Sequence, residues 1–139
     1  MFGEHWLAEG DLREHFPFIK KYSRLLDILS DKDLASLGDA YINFVYSLAL
    51  SKVAGKPIGR KLDSNTLSLA LKRAGIRALL PQRTDKHKQA DATEALMIFG
   101  WLSGAISIEE TVSILTKEGD LVDNISAILK LILERIKIP

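Results

Sequence analysis

Asp91 and Glu94 stand three residues apart, a spacing that puts both carboxylates on one face of a helix and aims them at one object. Two acids held side by side repel unless something cationic lies between them. They are followed by Ala95, Leu96, Met97, Ile98 and Phe99, so at least one of them lies at the edge of a core. A third acid, Asp39, sits in Leu37-Gly38-Asp39-Ala40, inside a mostly apolar stretch with helical spacing. Aspartate competes for backbone hydrogen bonds within a helix, and glycine costs backbone entropy there. Local propensity therefore does not account for the Gly38-Asp39 pair. Each acid has an ordinary explanation by itself. An i, i+3 acidic pair usually faces solvent or a nearby lysine, and a lone mid-helix aspartate usually accepts an interhelical hydrogen bond.

Residue types exclude most other chemistry. There is no cysteine, hence no disulfide, no Cys-based zinc site and no thiol nucleophile, which fits a reducing compartment. His5, His15 and His87 lack metal-ligand spacing. The nearest approach to a phosphate-cradling Gly-x-x-x-x-Gly-Lys-Ser/Thr loop, Gly55 to Arg60, has a proline inside it and the wrong ending. No Gly-x-Ser-x-Gly elbow is present to support serine hydrolysis.

The elements that must position the acids read as helices throughout. No stretch alternates apolar and polar residues for long, and no Asn-Gly or Asp-Gly hairpin turn occurs. A first helix is expected from Pro17 to Leu29, proline being tolerated in a first turn. Ser30 and Asp33 open a second, on which Leu34, Leu37, Tyr41, Phe44, Val45 and Leu48 recur at helical spacing until about Val53, before Gly55, Pro57 and Gly59 break it. Asp63, Ser64 and Asn65 are capping residues for a third, which Gly75 ends. A fourth is expected from Thr84 to Ser103. Ser107 and Glu110 read as a capping box, Gly119 as a C-cap, and Leu121 to Ile136 as a final amphipathic helix. At 139 residues, without a repeat or a long linker, the chain is expected to be one all-α domain, a bundle of about five to seven helices over residues 1–139.

Glu4, Glu9 and Asp11 precede any apolar run, so no signal peptide is evident. The longest uncharged stretch, Ala95 to Ile108, has fourteen residues, short of the roughly 20 that span a bilayer. A cytoplasmic protein without membrane association is expected. Net charge is only +1, yet the stretch from Lys52 to Lys88 holds ten Lys or Arg against two acids. Such a run is often a solvated face; it can also follow a phosphate backbone.

Leu34-Ala35-Ser36-Leu37-Gly38-Asp39-Ala40 resembles the signature helix of the ribonuclease III catalytic domain, and Ala90-Asp91-Ala92-Thr93-Glu94-Ala95-Leu96 resembles that family's second acidic motif. The resemblance covers about residues 25 to 105. It implies that Asp39, Asp91 and Glu94 hold Mg²⁺ or Mn²⁺, with Glu94 and Asp39 catalytic, in an endoribonuclease acting on double-stranded or structured RNA such as a ribosomal RNA precursor. Hard carboxylate oxygens suit such ions. Larger members carry further glutamates where this chain has Lys32 and Ala35; the short Mini-ribonuclease III branch, also small at the Ala35 position, is the nearer likeness. No double-stranded-RNA-binding domain follows within the 139 residues. RNA binding would then fall to Arg60, Lys61, Lys72, Arg73, Arg77, Arg83, Lys86 and Lys88, since duplex RNA is recognised mostly through shape, phosphates and 2′-hydroxyls. The family also implies a homodimer, for which Tyr41, Phe44 and Val45 are a candidate apolar seam. The alternatives are a catalytically silent RNA-binding or ribosome-associated module of the same fold, favoured by the missing acids, and a helical interaction scaffold.

Overall fold

Acidic or hydroxyl side chains open the helices that follow the first. In the computed structural model, which describes residues 12–139, the helices are α1 (Leu25–Leu29), α2 (Lys32–Ala54), α3 (Ser64–Arg73), α4 (Lys86–Leu102), α5 (Ile108–Leu115) and α6 (Leu121–Ile136). Asp31, Asp63, Asp85, Ser107 and Asp120 cap α2 to α6 by accepting hydrogen bonds from first-turn backbone N–H groups, each cap being worth about 1 kcal/mol. Among the described residues there is no strand, and no helix is long and apolar enough to cross a membrane. The acidic positions Glu4, Glu9 and Asp11, and His5, lie outside the described residues.

Several expected boundaries move. The first helix does not begin at Pro17: Arg24 is extended, at φ −133° and ψ 149°, so only Leu25–Leu29 is helical. Ser30 ends that helix rather than starting α2; Asp31 starts it, because its carboxylate accepts from both Asp33 and Leu34 N–H at 3.1 Å. Only half of the expected capping box forms. Ser107 Oγ accepts from Glu110 N–H, but the Glu110 carboxylate turns to Arg135, which holds it through two bonds of 2.7 and 3.0 Å. Gly119 is not the C-cap of α5, a place Thr116 fills.

The core forms around α4, of whose 17 residues twelve are buried. A helix that is apolar around most of its circumference must be wrapped by others, and α1, α2, α3 and α6 all pack on it. Ile42 and Val45 of α2, Leu71 of α3, Ile125, Ile128 and Leu129 of α6 are fully buried with its Leu96 and Ile98. The candidate seam residues Tyr41 and Val45 are part of this core, at 8 and 0 % exposure. The exposed apolar face of α2 is instead Leu37, Phe44 and Leu48, spaced seven and four residues apart.

The crossing of α2 and α4 is closest at Gly38. A Cβ built there would stand 2.1 Å from the Glu94 carbonyl oxygen, so only glycine lets the two backbones meet. This explains the mid-helix glycine that propensity alone does not.

Candidate active site

Asp39 follows Gly38 directly, and Glu94 is the residue that Gly38 touches, so the closest point of the crossing is also where the two acids meet. Glu94 is buried, at 7 % exposure. Its carboxyl lies within hydrogen-bonding reach of Asp39, and its pKa is pushed up to about 8, first by burial, then by the Asp39 contact and the negative charges of Asp39 and Asp91. Asp91, one helical turn earlier, is half-buried. Burial raises its pKa above the ordinary aspartate value, with Asp85 and Asp39 adding to the rise and His87 and Lys32 opposing it.

Asp39 is exposed and held in place by its own helix. Asn43 Nδ2 donates to Asp39 Oδ1 at 3.1 Å, and Asn43 Oδ1 accepts from the Leu62 backbone N–H at 2.8 Å. The pattern continues along α2. Ser47 Oγ accepts from the Arg60 N–H and donates to the Arg60 carbonyl, and Ser51 Oγ does the same with Ile58. Asp39, Asn43, Ser47 and Ser51, four residues apart, thus form one polar edge of α2, and its last three members dock the segment Ile58 to Leu62 beside the acids. Neither Asn43 nor this edge is evident from motif reading. The i, i+4 recurrence of small polar residues was the available signal.

Asp39 and Glu94 converge, and the negative charge of Asp91 adds to the rise at Glu94. Among the described residues, no group of three or more His, Asp or Glu side chains is arranged to hold a metal ion. Mg²⁺, however, is commonly bound through one or two carboxylates, with water and substrate oxygens completing its shell. The buried Glu94, set against Asp39, offers carboxylate oxygens of that kind.

Lys32 and Ala35 differ in what surrounds them. Ala35 is buried, at 3 % exposure, where an acid would have no water. Lys32 is exposed and, with Asp91, Arg83 and Lys88, lines a cavity of about 290 Å³.

The eight basic residues of the expected RNA surface do not form one free face. Arg73 pairs with Asp120 and with Asp123, the latter at 2.8 Å, tying α3 to the start of α6. Arg77 donates to the carbonyls of Pro81 and Gln82 at 3.1 and 2.7 Å, and Arg60 to that of Gly59 at 2.9 Å. Lys61, Lys72, Arg83, Lys86 and Lys88 are exposed and make no ion pair among the described residues.

A family model described as Ribonuclease III matches residues 32–133, from the first turn of α2 into the last turns of α6. It extends beyond the two acidic motifs to the C-terminal helix that packs on α4. No curated protein matches the chain.

Proposed function

Because the chain belongs to the ribonuclease III family, we propose that it is a metal-dependent endoribonuclease hydrolysing phosphodiester bonds of double-stranded or structured RNA, with Asp39 and Glu94 as its central pair. The observation that carries this reading is the buried Glu94 carboxyl set against Asp39 at the glycine crossing. Two acids converging at a buried point repel each other unless a proton or a cation joins them.

Asp39 and Glu94 would hold Mg²⁺ or Mn²⁺, with Asp91 as the third acid. Bound there, the ion would supply a water of lowered pKa and a Lewis acid for a phosphate oxygen. The chain's own residues do the rest. Asn43 fixes the Asp39 carboxylate by one hydrogen bond and is itself fixed by the Leu62 N–H. Gly38 sets how near the acids stand. Arg83 and Lys88, unpaired among the described residues and beside Asp91, hold the phosphate backbone next to them.

Asn43 acts as a positioning residue. Asn43→Ala should weaken Mn²⁺ binding roughly 10- to 100-fold, as loss of a group that orients a ligand typically does. An isothermal Mn²⁺ titration without RNA measures this, and an unchanged affinity would remove Asn43 from the site.

The basic residues divide by what they already hold. Arg83→Ala together with Lys88→Ala should weaken RNA binding and reduce the slope of log affinity against log salt by about 2. Arg73→Ala should lower the melting temperature and leave RNA affinity unchanged. Fluorescence anisotropy across a salt series separates the two; equal losses of affinity would restore the basic segment as one undivided surface.

A homodimer in the cytoplasm goes with this reading, its seam formed by the exposed Leu37, Phe44 and Leu48. Sedimentation at micromolar concentration should give twice the 15.5 kDa chain mass, and a monomer would count against it. The function itself is tested with long duplex RNA: internal cleavage, with single-stranded RNA spared, is the expected result. Binding without cleavage would favour the silent module, a reading supported by the convergence of only two acids.

A further inference from the structure

The cavity beside Asp91 has a chemically mixed lining. The buried Leu29 and Leu80, with Pro81, are its apolar floor. Lys32, Arg83 and Lys88 line it too, and all three are exposed. Two acids, Asp31 and Asp91, line it against these three cations. Asp31 is already used, accepting from two backbone N–H groups at the start of α2, from the Tyr22 hydroxyl at 2.6 Å, and lying 3.9 Å from Lys20. Asp91 also lines the cavity, and the positive charge of Lys32 favours its ionised form.

The wall is preformed. Arg77 grips the Pro81 and Gln82 carbonyls, and Thr84 Oγ1 donates to the Pro81 carbonyl at 2.6 Å. Gln89, buried in α4, donates from Nε2 to the Thr84 carbonyl at 2.9 Å while its Oε1 accepts from Ser68. The turn from Leu80 to Thr84 is thus pinned from both α4 and the Arg77 side. A rigid wall needs little ordering when a ligand arrives.

Three cations would be wasted on a purely apolar ligand, and a bare phosphate would leave the apolar floor unused. A volume of about 290 Å³ lies at the lower end of small-ligand sites, room for one compact group and not for a helix. A base inside a duplex shows only its edges, since stacking covers its faces. A base that has left the stack can lay a face on an apolar wall.

We propose that this cavity receives a single unpaired nucleotide of the RNA beside the acid pair, its base against Leu29, Leu80 and Pro81 and its phosphate held by Lys32, Arg83 and Lys88. The proposal rests on the endoribonuclease reading for its biological meaning, and it makes structured RNA with an unpaired nucleotide near the cut the preferred substrate over perfect duplex.

Binding is measured without cleavage, by calorimetry with adenosine and uridine monophosphates against inorganic phosphate. The nucleotides should bind at least about tenfold more tightly than phosphate, and Lys32→Ala or Arg83→Ala, both at exposed positions, should each weaken them at least about tenfold. Equal affinity for phosphate and nucleotide, or no binding of either, overturns the proposal. In a second arm, a duplex with one bulged nucleotide should be cut faster than its fully paired counterpart, the preference disappearing in Lys32→Ala; equal rates for the wild type overturn it. The two readings fail separately: nucleotide binding without any RNA cleavage rejects the nuclease and keeps the pocket, whereas cleavage without nucleotide binding rejects the pocket alone.

Discussion

Glu94→Gln should abolish RNA cleavage while making the metal-free protein more stable at pH 8 to 9. The amide keeps the size of the side chain and removes its charge, so packing at the α2–α4 crossing is preserved. Loss of cleavage on the order of a thousandfold or more is expected when a principal metal ligand is neutralised. The stability effect follows from linkage. In the folded protein the Glu94 carboxyl titrates at about 8, whereas in the unfolded chain it titrates near the ordinary value of about 4.3. Between those values the folded state retains a proton that the unfolded chain has released, so stability is fully present below about pH 4 and falls as pH rises through 8. The loss is on the order of 2 to 3 kcal/mol once local relaxation and water penetration are allowed for. Thermal melts without metal should therefore fall from pH 5 to pH 9 in the wild type and stay flatter in the variant. Mn²⁺ should restore the wild type at high pH by taking the proton's place, with no such effect on the variant. Parallel pH curves for the two proteins would remove Glu94 as the source.

Gly38→Ala should destabilise the fold by about 3 kcal/mol, at the upper end of what a single added methyl does in a packed interior. The new Cβ would stand 2.1 Å from the Glu94 carbonyl oxygen and 2.5 Å from its carbonyl carbon. Both atoms are backbone and have no rotamer to escape into, so α2 and α4 must separate. Gly100 gives the contrast. Its added Cβ would meet only the side chain of Ile132, at 2.5 Å, which can turn away. Denaturant unfolding of both variants should show the Gly38 change to be the costlier by at least about 1 kcal/mol. Parting the helices also parts Asp39 from Glu94, so the residual folded Gly38→Ala protein should bind Mn²⁺ weakly. A variant within about 0.5 kcal/mol of the wild type would contradict the close crossing.

What the sequence makes legible here is mainly what repeats locally. The final helix lies at Leu121–Ile136 as its amphipathic pattern implies, and α2 ends at Ala54, one residue beyond expectation. The i, i+3 spacing puts Asp91 and Glu94 on one helix, but not which of the two is buried. Because α4 is enclosed on most sides, its sequence has no polar face from which to read orientation, and Gly38 decides the matter from another helix. The same limit applies to the cations. Arg73 looks free until Asp120 and Asp123, about fifty residues later, close on it, and Lys32 gains its meaning only from Arg83 and Lys88, which line the same cavity. Val45 and Leu48 are equally apolar on paper; the turn of α2 buries one and exposes the other.

The central claim, that Asp39 and Glu94 act through a divalent cation, is tested most directly by incubating the purified chain with long duplex RNA in Mg²⁺ or Mn²⁺ and in chelator. Internal cleavage in metal, none in chelator, and recovery when metal is returned is the expected result. Cleavage that persists in chelator, or RNA bound but left intact in both metals, would contradict it.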